Sequence, residues 1–215
     1  MSDIQIYYLL PSQLIKGQRM NIDLSTILRQ GDKTLSEVYN EIKSNPEFCR
    51  DEFGIEFGHF KGLILSDVSL YASIDGKVAG LLSFMTTAYQ GKRFILLNGI
   101  CSPEQYSGMG VGSQLINTLI RVGKAFDIDF IKLECKGDKL MNYYKKLGFV
   151  VTSSKTSYDS DEDSDDEEDV HLYYHMELDL SRVSGGKKKR RTFKRKSRRE
   201  KRKNTRRKLR KYKYH

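Results

Sequence analysis

The sequence has few of the residues that stabilise small secreted proteins and none of the long apolar runs of membrane proteins. Its 215 residues include only three cysteines and no tryptophan. Cys49, Cys101 and Cys135 are widely spaced and form no CxxC pair, so we predict neither a disulfide framework nor a thiolate zinc site, which fits a reducing compartment. No apolar run approaches the ~18 residues that span a bilayer, and the N-terminus does not resemble a secretory signal. We therefore expect neither a disulfide scaffold nor a membrane protein.

Charges are distributed unevenly along the chain, and their distribution predicts its domain organisation. The formal net charge is +10, yet 19 Lys or Arg and a single acidic residue lie between Lys187 and Lys213. In residues 159–169, by contrast, nine of eleven side chains are acidic. The rest is nearly neutral and has enough apolar residues for a core. We predict one globular domain over residues 1–183, interrupted by the disordered acidic insert 159–169 and followed by a disordered basic tail, 184–215.

Hydrophobic patterns predict a mixed fold of strands and helices. Two helices are predicted between residues 12 and 50, one after residue 112, and a short one over 139–147. Asp75–Gly76 and Gln90–Gly91 supply the turns of two successive hairpins. Seven segments have the alternation or β-branched content of strands: 4–10, 68–73, 78–87, 93–101, 130–135, 149–152 and 170–180. The fold class is therefore α/β (α+β), with helices flanking a mixed, mostly antiparallel sheet of about seven strands that contains one parallel crossover.

A glycine-rich turn between a predicted strand and a predicted helix is the strongest candidate for a ligand site. Gly108, Gly110 and Gly112 let the backbone approach a ligand closely, and the start of the following helix offers free N–H groups to a pyrophosphate. The spacing is not that of a P-loop, because no Gly-Lys-Ser/Thr follows. It is not the dinucleotide pattern GxGxxG either, because Ser113 stands at the last glycine position. A tight turn without a ligand is the alternative interpretation.

The segment Gln105-x-x-Gly108-x-Gly110 resembles the loop that binds the acyl-CoA pyrophosphate in the GNAT superfamily of N-acetyltransferases. An alternative alignment puts Ser107, Gly110 and Gly112 in these places and loses the usual Gln or Arg. Either alignment implies that the backbone amides from about Tyr106 to Ser113 face the pyrophosphate. The resemblance implies acetyl-CoA as cosubstrate, with these residues as its contacts: Cys101, Gln105, Tyr106, Ser107, Gly108, Met109, Gly110, Val111, Gly112, Ser113 and Asn142.

Two further segments are similar to the same family. Residues 143–149, Tyr-Tyr-Lys-Lys-Leu-Gly-Phe, look like the helix and turn that follow its fifth strand, and residues 131–134 look like that strand. The resemblance covers residues 4–180 as architecture and 95–151 as sequence. It implies a GNAT-like sheet and an acyl-CoA N-acyltransferase that moves an acetyl group to an amine.

The resemblance also implies which groups polarise the substrate and move protons. A main-chain N–H of residues 98–101 would polarise the thioester carbonyl. Tyr144 occupies the position at which many members have a general acid; the alternative is a core aromatic that packs on CoA. Glu134 matches a base of some protein N-terminal acetyltransferases; the alternatives are a surface carboxylate and a base that acts through water. The glutamate that histone-type members use is absent, because Phe94 stands at its position.

No second catalytic centre is predicted. Cys101 and Cys135 have no His nearby in a motif, and direct transfer to an amine needs no covalent enzyme intermediate, so we interpret both as core residues. His171 and His175 share one face of the last predicted strand, but two ligands do not make a zinc site, and we expect no metal.

The two charged segments suggest partners. The acidic insert borders the amine entrance of GNAT enzymes by resemblance, and three interpretations stay open: it concentrates a cationic substrate, it is a solvated loop, or it pairs with the basic tail. Ser160 and Ser164 each precede three acidic residues, a pattern that acidophilic kinases favour. Residues 187–213 are predicted to bind nucleic acid without sequence preference, and 187–191 resembles a nuclear-localisation cluster.

Together these features predict an acetyl-CoA-dependent N-acetyltransferase that acts on a protein lysine or N-terminus, its acceptor a basic protein or peptide. The basic tail would hold it near nucleic acid, in the nucleus or another nucleic-acid-rich site such as a virion; otherwise we expect the cytoplasm. Two alternatives stay open: a small-amine or polyamine acetyltransferase, and a non-catalytic CoA-binding module whose tail binds nucleic acid. The sequence does not predict an oligomeric state.

Overall fold

The structure, a computed structural model, describes residues 3–9, 23–44, 68–158 and 170–183. The contacts divide the chain into the compact unit Met1–Val183, which holds all of these residues, and Ser184–His215. The loop predicted at 54–62, the acidic insert and the basic tail lie outside the described residues, and their disorder stays a prediction.

Eight strands and three α-helices make up the described part of the chain. In chain order they are β1 (Gln5–Leu9), β2 (Arg29–Gln30), α1 (Leu35–Ser44), β3 (Val68–Ile74), β4 (Lys77–Tyr89), β5 (Lys92–Cys101), α2 (Val111–Ala125), β6 (Phe130–Lys136), α3 (Gly137–Lys146), β7 (Val150–Tyr158) and β8 (Val170–Asp179). Two short 3-10 helices, Leu24–Thr26 and Glu104–Tyr106, precede β2 and α2.

All eight strands form one open sheet in the order β2-β1-β3-β4-β5-β6-β8-β7. The pairs β1/β2 and β5/β6 are parallel and the other pairs are antiparallel. The predicted mixed, mostly antiparallel sheet is confirmed, and so is the crossover through α2. The predicted number of seven strands is wrong, because the two-residue strand β2 is too short to produce a pattern in the sequence.

The N-terminal region differs from the prediction. Residues 24–28, predicted as part of a helix, form a 3-10 turn that leads into β2. Asp23 accepts a hydrogen bond from the backbone N–H of Ser25 at 3.1 Å, and the Thr26 hydroxyl donates to the Asp23 carbonyl at 2.9 Å. Such side-chain bonds compete with a regular helix. The second predicted helix is confirmed as α1, which begins with a reciprocal capping box between Thr34 and Glu37.

Helices cover both faces of the sheet but not equally. α2 and α3 pack on one face, where Leu115, Ile116 and Leu119 are fully buried in the larger core. α1 packs on the other face at the β1–β3–β4 side, with Val38 and Ile42 buried in the second core. On that second face, the described side chains of β6, β7 and β8 stay exposed or half-buried. We call this surface the open face. Within the described residues, no helix is long and apolar enough to cross a membrane.

Candidate active site

The strands β5 and β6 separate at one end, and this separation is the central feature of the site. Their parallel pairing runs from Phe94 opposite Phe130 to Leu97 opposite Leu133 and stops there. Beyond this point β5 continues to pair with β4, and β6 continues to pair with β8. Each of the two strands therefore stays paired with its outer neighbour after it has separated from the other. A gap opens between residues 98–101 of β5 and 134–136 of β6.

A β-bulge begins where the strands separate. Ser83 of β4 lies opposite Gly99, while the next residue, Phe84, lies opposite Leu97. Asn98 is therefore an extra residue on β5, and a bulge of this kind bends its strand and increases the local twist. The sequence pattern did not predict this bulge. The signal was the pair Asn98–Gly99 inside an apolar strand, since both residues are poor strand formers and an interior glycine often marks a bulge.

The predicted glycine turn lies at the end of β5, beside the gap. Gly108 and Gly110 have φ angles of 75° and 84°, in the left-handed region that favours glycine. α2 begins at Val111 with no side chain capping its first turn. The first hydrogen bond into the helix runs from the N–H of Gln114 to the carbonyl of Gly110, at 2.9 Å. The N–H groups of residues 111–113 are therefore those that an α-helix leaves without an internal partner.

α3 packs closely against this helix start. The Tyr143 hydroxyl lies 3.4 Å from the Ser113 hydroxyl. A Cβ at Gly112 would lie 3.1 Å from the Tyr143 hydroxyl, so the absence of a side chain at Gly112 permits the close approach of the two helices. Asn142 is exposed on α3. The glycine turn and the 143–149 segment, which lie 30 or more residues apart in the sequence, thus meet at the same end of the sheet.

Gln105 and Tyr106 face a different surface as well. They line a cavity of about 430 Å³ together with residues of α1, the segment before it and the β3–β4 hairpin, including Lys33, Glu41 and Lys77. Glu41 accepts hydrogen bonds at 2.6 Å from the Lys33 ammonium and from the Val78 N–H. The predicted acetyl-CoA contacts therefore lie in two places. Residues 107–113 form the turn and helix start, whereas Gln105 and Tyr106 also line this cavity.

Tyr144 is buried on the side of the sheet that α2 and α3 cover. Its side chain is 4% exposed and makes edge-on contacts with Tyr143 and Phe149. Burial raises the pKa of its hydroxyl above the ordinary value of 10.0, and nearby Tyr143 and Cys135 add to this effect. None of the hydrogen bonds between described residues uses this hydroxyl. The phenol therefore stays protonated, which suits a general acid, although the same burial suits a packing role.

The two cysteines at the gap are unsuited to nucleophilic catalysis. Burial, together with the Glu134 carboxylate, raises the pKa of the Cys135 thiol to about 11, so the thiolate is scarce at neutral pH. Cys135 is a free thiol that packs 3.7 Å from the Met176 sulfur. Cys101 is disulfide-bonded, which the cysteine spacing did not predict. Sequence separation says nothing about which cysteines a fold brings together.

Glu134 lies at the apex of the gap on the open face. It is the first residue of β6 beyond the last β5–β6 pair, and its neighbours Leu133 and Cys135 point to the helix-covered side. Its Oε2 atom lies 2.9 Å from the Lys155 ammonium and 3.3 Å from His175 Nε2. Neither partner was predicted, because cross-strand contacts depend on a register that the sequence does not reveal. Tyr144 and Glu134 thus lie on opposite sides of the sheet at one gap.

Comparisons with known proteins agree with this geometry. The family model described as the Acetyltransferase (GNAT) family matches residues 35–149, more than half of the chain. The comparison with curated protein sequences found no match.

Among similar solved structures, two with a TM-score of 0.50 share the fold, and one of these two is an acetyltransferase. The ribosomal-protein-S18-alanine N-acetyltransferase from Escherichia coli is 16% identical, with a TM-score of 0.50 over 73% of this chain and 94% of that one. The protein smu.2055 from Streptococcus mutans is 19% identical, with a TM-score of 0.50 over 69% and 96% of the two chains. Ard1 from Thermoplasma volcanium is 21% identical, with a TM-score of 0.49 over 66% and 92%. With a family model that covers more than half of the chain, including strands β3 to β6, the glycine turn and the α3 segment, this chain belongs to the GNAT family of acetyltransferases.

Proposed function

We propose that this protein transfers the acetyl group of acetyl-CoA to an amine of a protein, a lysine side chain or an N-terminus. The observation that carries the proposal is the β5–β6 gap with the glycine turn at its mouth. Acetyl-CoA supplies the acetyl group as a thioester. The gap gives a thioester a position between two strands, and the turn gives its pyrophosphate a cluster of N–H donors.

The residues present fit acetyl-CoA. A Cβ at Gly108 or Gly110 would meet no other atom within 4 Å, so the backbone of the turn is open on the side where side chains would stand. The uncapped start of α2 has N–H groups and a positive dipole end that stabilise an anion. Tyr143, half-buried across this helix start, offers a ring and a hydroxyl beside the same N–H groups.

Residues on the two sides of the gap have complementary roles in the proposed transfer. A main-chain N–H among residues 98–101 donates to the thioester carbonyl, where negative charge develops. The protonated Tyr144 hydroxyl donates its proton to the departing sulfur. Glu134, on the opposite side, orients the incoming amine and accepts a proton from it, directly or through water. The acid and the carboxylate thus act from different sides of one opening.

The acceptor is proposed to be cationic. Glu134 already binds the ammonium group of Lys155 in the open face, so the carboxylate can hold an amine of this kind. The acidic insert 159–169 connects β7 to β8, the strands that contribute Lys155 and His175, and its charge would concentrate a basic peptide there. The basic tail is proposed to anchor the enzyme to nucleic acid, because 19 cationic side chains between Lys187 and Lys213 can neutralise phosphates.

Calorimetric titration of acetyl-CoA tests the site. We expect Gly110→Glu to weaken binding by about tenfold or more, because it puts a carboxylate where an anion must bind. Gly91→Glu is the matched control. Gly91 also has positive φ, 74°, and an open Cβ position, but it lies in the β4–β5 turn. Both variants therefore carry the same charge and about 1–2 kcal/mol of similar backbone strain. Equal affinities for the two variants would contradict the proposed pyrophosphate site.

A further inference from the structure

One lysine of the protein itself lies at Glu134, the carboxylate that is proposed above to hold the acceptor amine. Lys155 extends from β7 across the open face, and its ammonium lies 2.9 Å from Glu134 Oε2. Its side chain is 52% exposed, so it is accessible as well as anchored. Because Glu134 is the first residue beyond the last β5–β6 pair, the contact places this ammonium beside the apex of the gap.

A second lysine of this face with an ion pair between described residues, Lys132, is placed differently. Lys132 pairs with Glu177 at 3.2 Å and lies over the Phe94 ring, 4.4 Å from its centre. Lys132 stands opposite Leu96, where β5 and β6 are still paired and the sheet is closed. The two lysines thus share a face and an ion-paired state, but only Lys155 of this pair contacts a residue of the gap.

From this placement we propose that Lys155 is an acetylation site of the enzyme itself, modified in the same molecule that binds the acetyl-CoA. The proposal rests on the proposed function, since the gap must hold the thioester. Proximity favours the transfer, because Lys155 need not bind from solution.

The proposed step uses groups already in the site. The Lys155 ammonium gives one proton to Glu134, and its Nζ then forms a bond to the acetyl carbon while the bond from that carbon to sulfur breaks. The departing CoA sulfur takes the Tyr144 proton, and the second proton of the attacking nitrogen returns to Tyr144 through water. Glu134 releases its proton to solvent. The net products are Nζ-acetyl-Lys155, CoA thiol and one proton.

Acetylation would change the acceptor side of the site. The modified side chain has no charge, so Glu134 would lose its ion pair with Lys155 and keep only the contact with His175 among the described residues. The carboxylate would then be available to an external amine. Self-acetylation would thus convert a site that is blocked by an internal cation into one that is open to substrate.

Site-resolved mass spectrometry of the full chain with isotopically labelled acetyl-CoA, without an acceptor, tests the proposal. We expect label at Lys155 to appear at least about tenfold faster than at Lys132, at a rate that does not depend on protein concentration. Tyr144→Phe should slow it roughly 10²–10⁴-fold, which separates enzymatic transfer from chemical acetylation. In Lys155→Arg the other lysines should not gain label in its place.

Two results would overturn the proposal. They are equal labelling of Lys155 and Lys132, and labelling of a tagged Tyr144→Phe chain by wild type at the rate of wild-type self-labelling. A turnover assay with external amines, run on the same preparation, shows whether self-acetylation alone fails or the proposed function fails as well. An unlabelled Lys155 in an enzyme that acetylates other amines refutes self-acetylation alone, whereas absence of both transfer and acetyl-CoA binding refutes the proposed function as well.

Discussion

At the scale of single residues, burial decides what Tyr144 can do. A phenol that is 4% exposed and whose pKa is raised keeps its proton at pH values where an exposed tyrosine begins to ionise, near 10.0. A group whose acid form is active and whose pKa is raised remains active as the pH increases. We therefore expect no loss of kcat from ionisation of Tyr144 up to about pH 10, the ordinary tyrosine value.

Removing the hydroxyl tests this role. Tyr144→Phe keeps the ring and its contacts with Phe149 but cannot donate a proton, so kcat should decrease roughly 10²–10⁴-fold where chemistry limits the rate. Tyr143→Phe is the control, since its hydroxyl contacts Ser113 in the glycine turn and should affect the KM for acetyl-CoA instead. An unchanged kcat in Tyr144→Phe would show that this residue only packs.

The sequence could predict which residues are candidates for the site, but not the contacts that they make. Gly108, Gly110, Tyr144 and Glu134 stand in local segments whose spacing can be compared with a family, and the structure brings them to one end of the sheet. Their binding and catalytic roles stay predictions. The partners of Glu134 could not be predicted, because Lys155 and His175 reach it from two other strands, and a shift of one residue in register would point them to the other face.

At the scale of elements, the approach of α2 to the sheet positions the glycine turn. A Cβ at Gly80 of β4 would lie 2.5 Å from Val111 Cγ1 and 3.3 Å from the Cys101 carbonyl. Val111 is the first residue of α2 and is 2% exposed, so this contact limits how closely the helix start can approach β4. A glycine in a strand interior normally weakens the strand, and here the close approach of a helix explains it.

Gly80→Ala should therefore overpack this contact. We expect a loss of about 1–3 kcal/mol in the free energy of unfolding, measured with denaturant, and weaker acetyl-CoA binding because the helix start shifts. Val111→Ala removes the Cγ atoms that the new methyl group would meet. The cost of Gly80→Ala should thus be smaller by about 1 kcal/mol in the Val111→Ala background. An identical cost in both backgrounds would mean that another contact limits Gly80.

Elements with strong local patterns were predictable, and short or interrupted ones were not. Both hairpins follow from Asp75–Gly76 and Gln90–Gly91, whose φ angles are all positive as tight turns require. The bulge at Asn98 and the end of β5–β6 pairing were not predicted, because they depend on which neighbour each strand follows. β2 and the 3-10 turn before it are too short for their residues to show a periodic hydrophobic pattern.

At the scale of the whole molecule, charge separates the folded domain from its tail. Deleting residues 187–215 removes 19 Lys or Arg, one Glu and no described element, so acetyl-CoA binding should survive. Affinity for nucleic acid, measured by fluorescence anisotropy, should be lost. In the full chain it should decrease steeply with salt, with a log–log slope of about −0.9 per phosphate contact on duplex DNA, and show little sequence preference.

The acidic insert provides a control for this prediction. If it competes with nucleic acid for the basic tail, neutralising the carboxylates of 159–169 should tighten binding at low salt. The anchoring proposal would be wrong if full-length and truncated proteins bound DNA and RNA equally at about 50 mM salt, both with and without the acidic charges.

The most direct test of the account is a turnover assay of the full-length protein with acetyl-CoA against histone peptides, ribosomal-protein peptides and polyamines. It should record CoA thiol release and acetylated product together. We expect one CoA per acetylated amine, a preference for a basic peptide over polyamines, and a roughly 10²–10⁴-fold loss of kcat in Tyr144→Phe. Faster turnover of polyamines would assign a small-amine enzyme. Acetyl-CoA binding without turnover of any acceptor would contradict the central claim and indicate a non-catalytic CoA-binding domain.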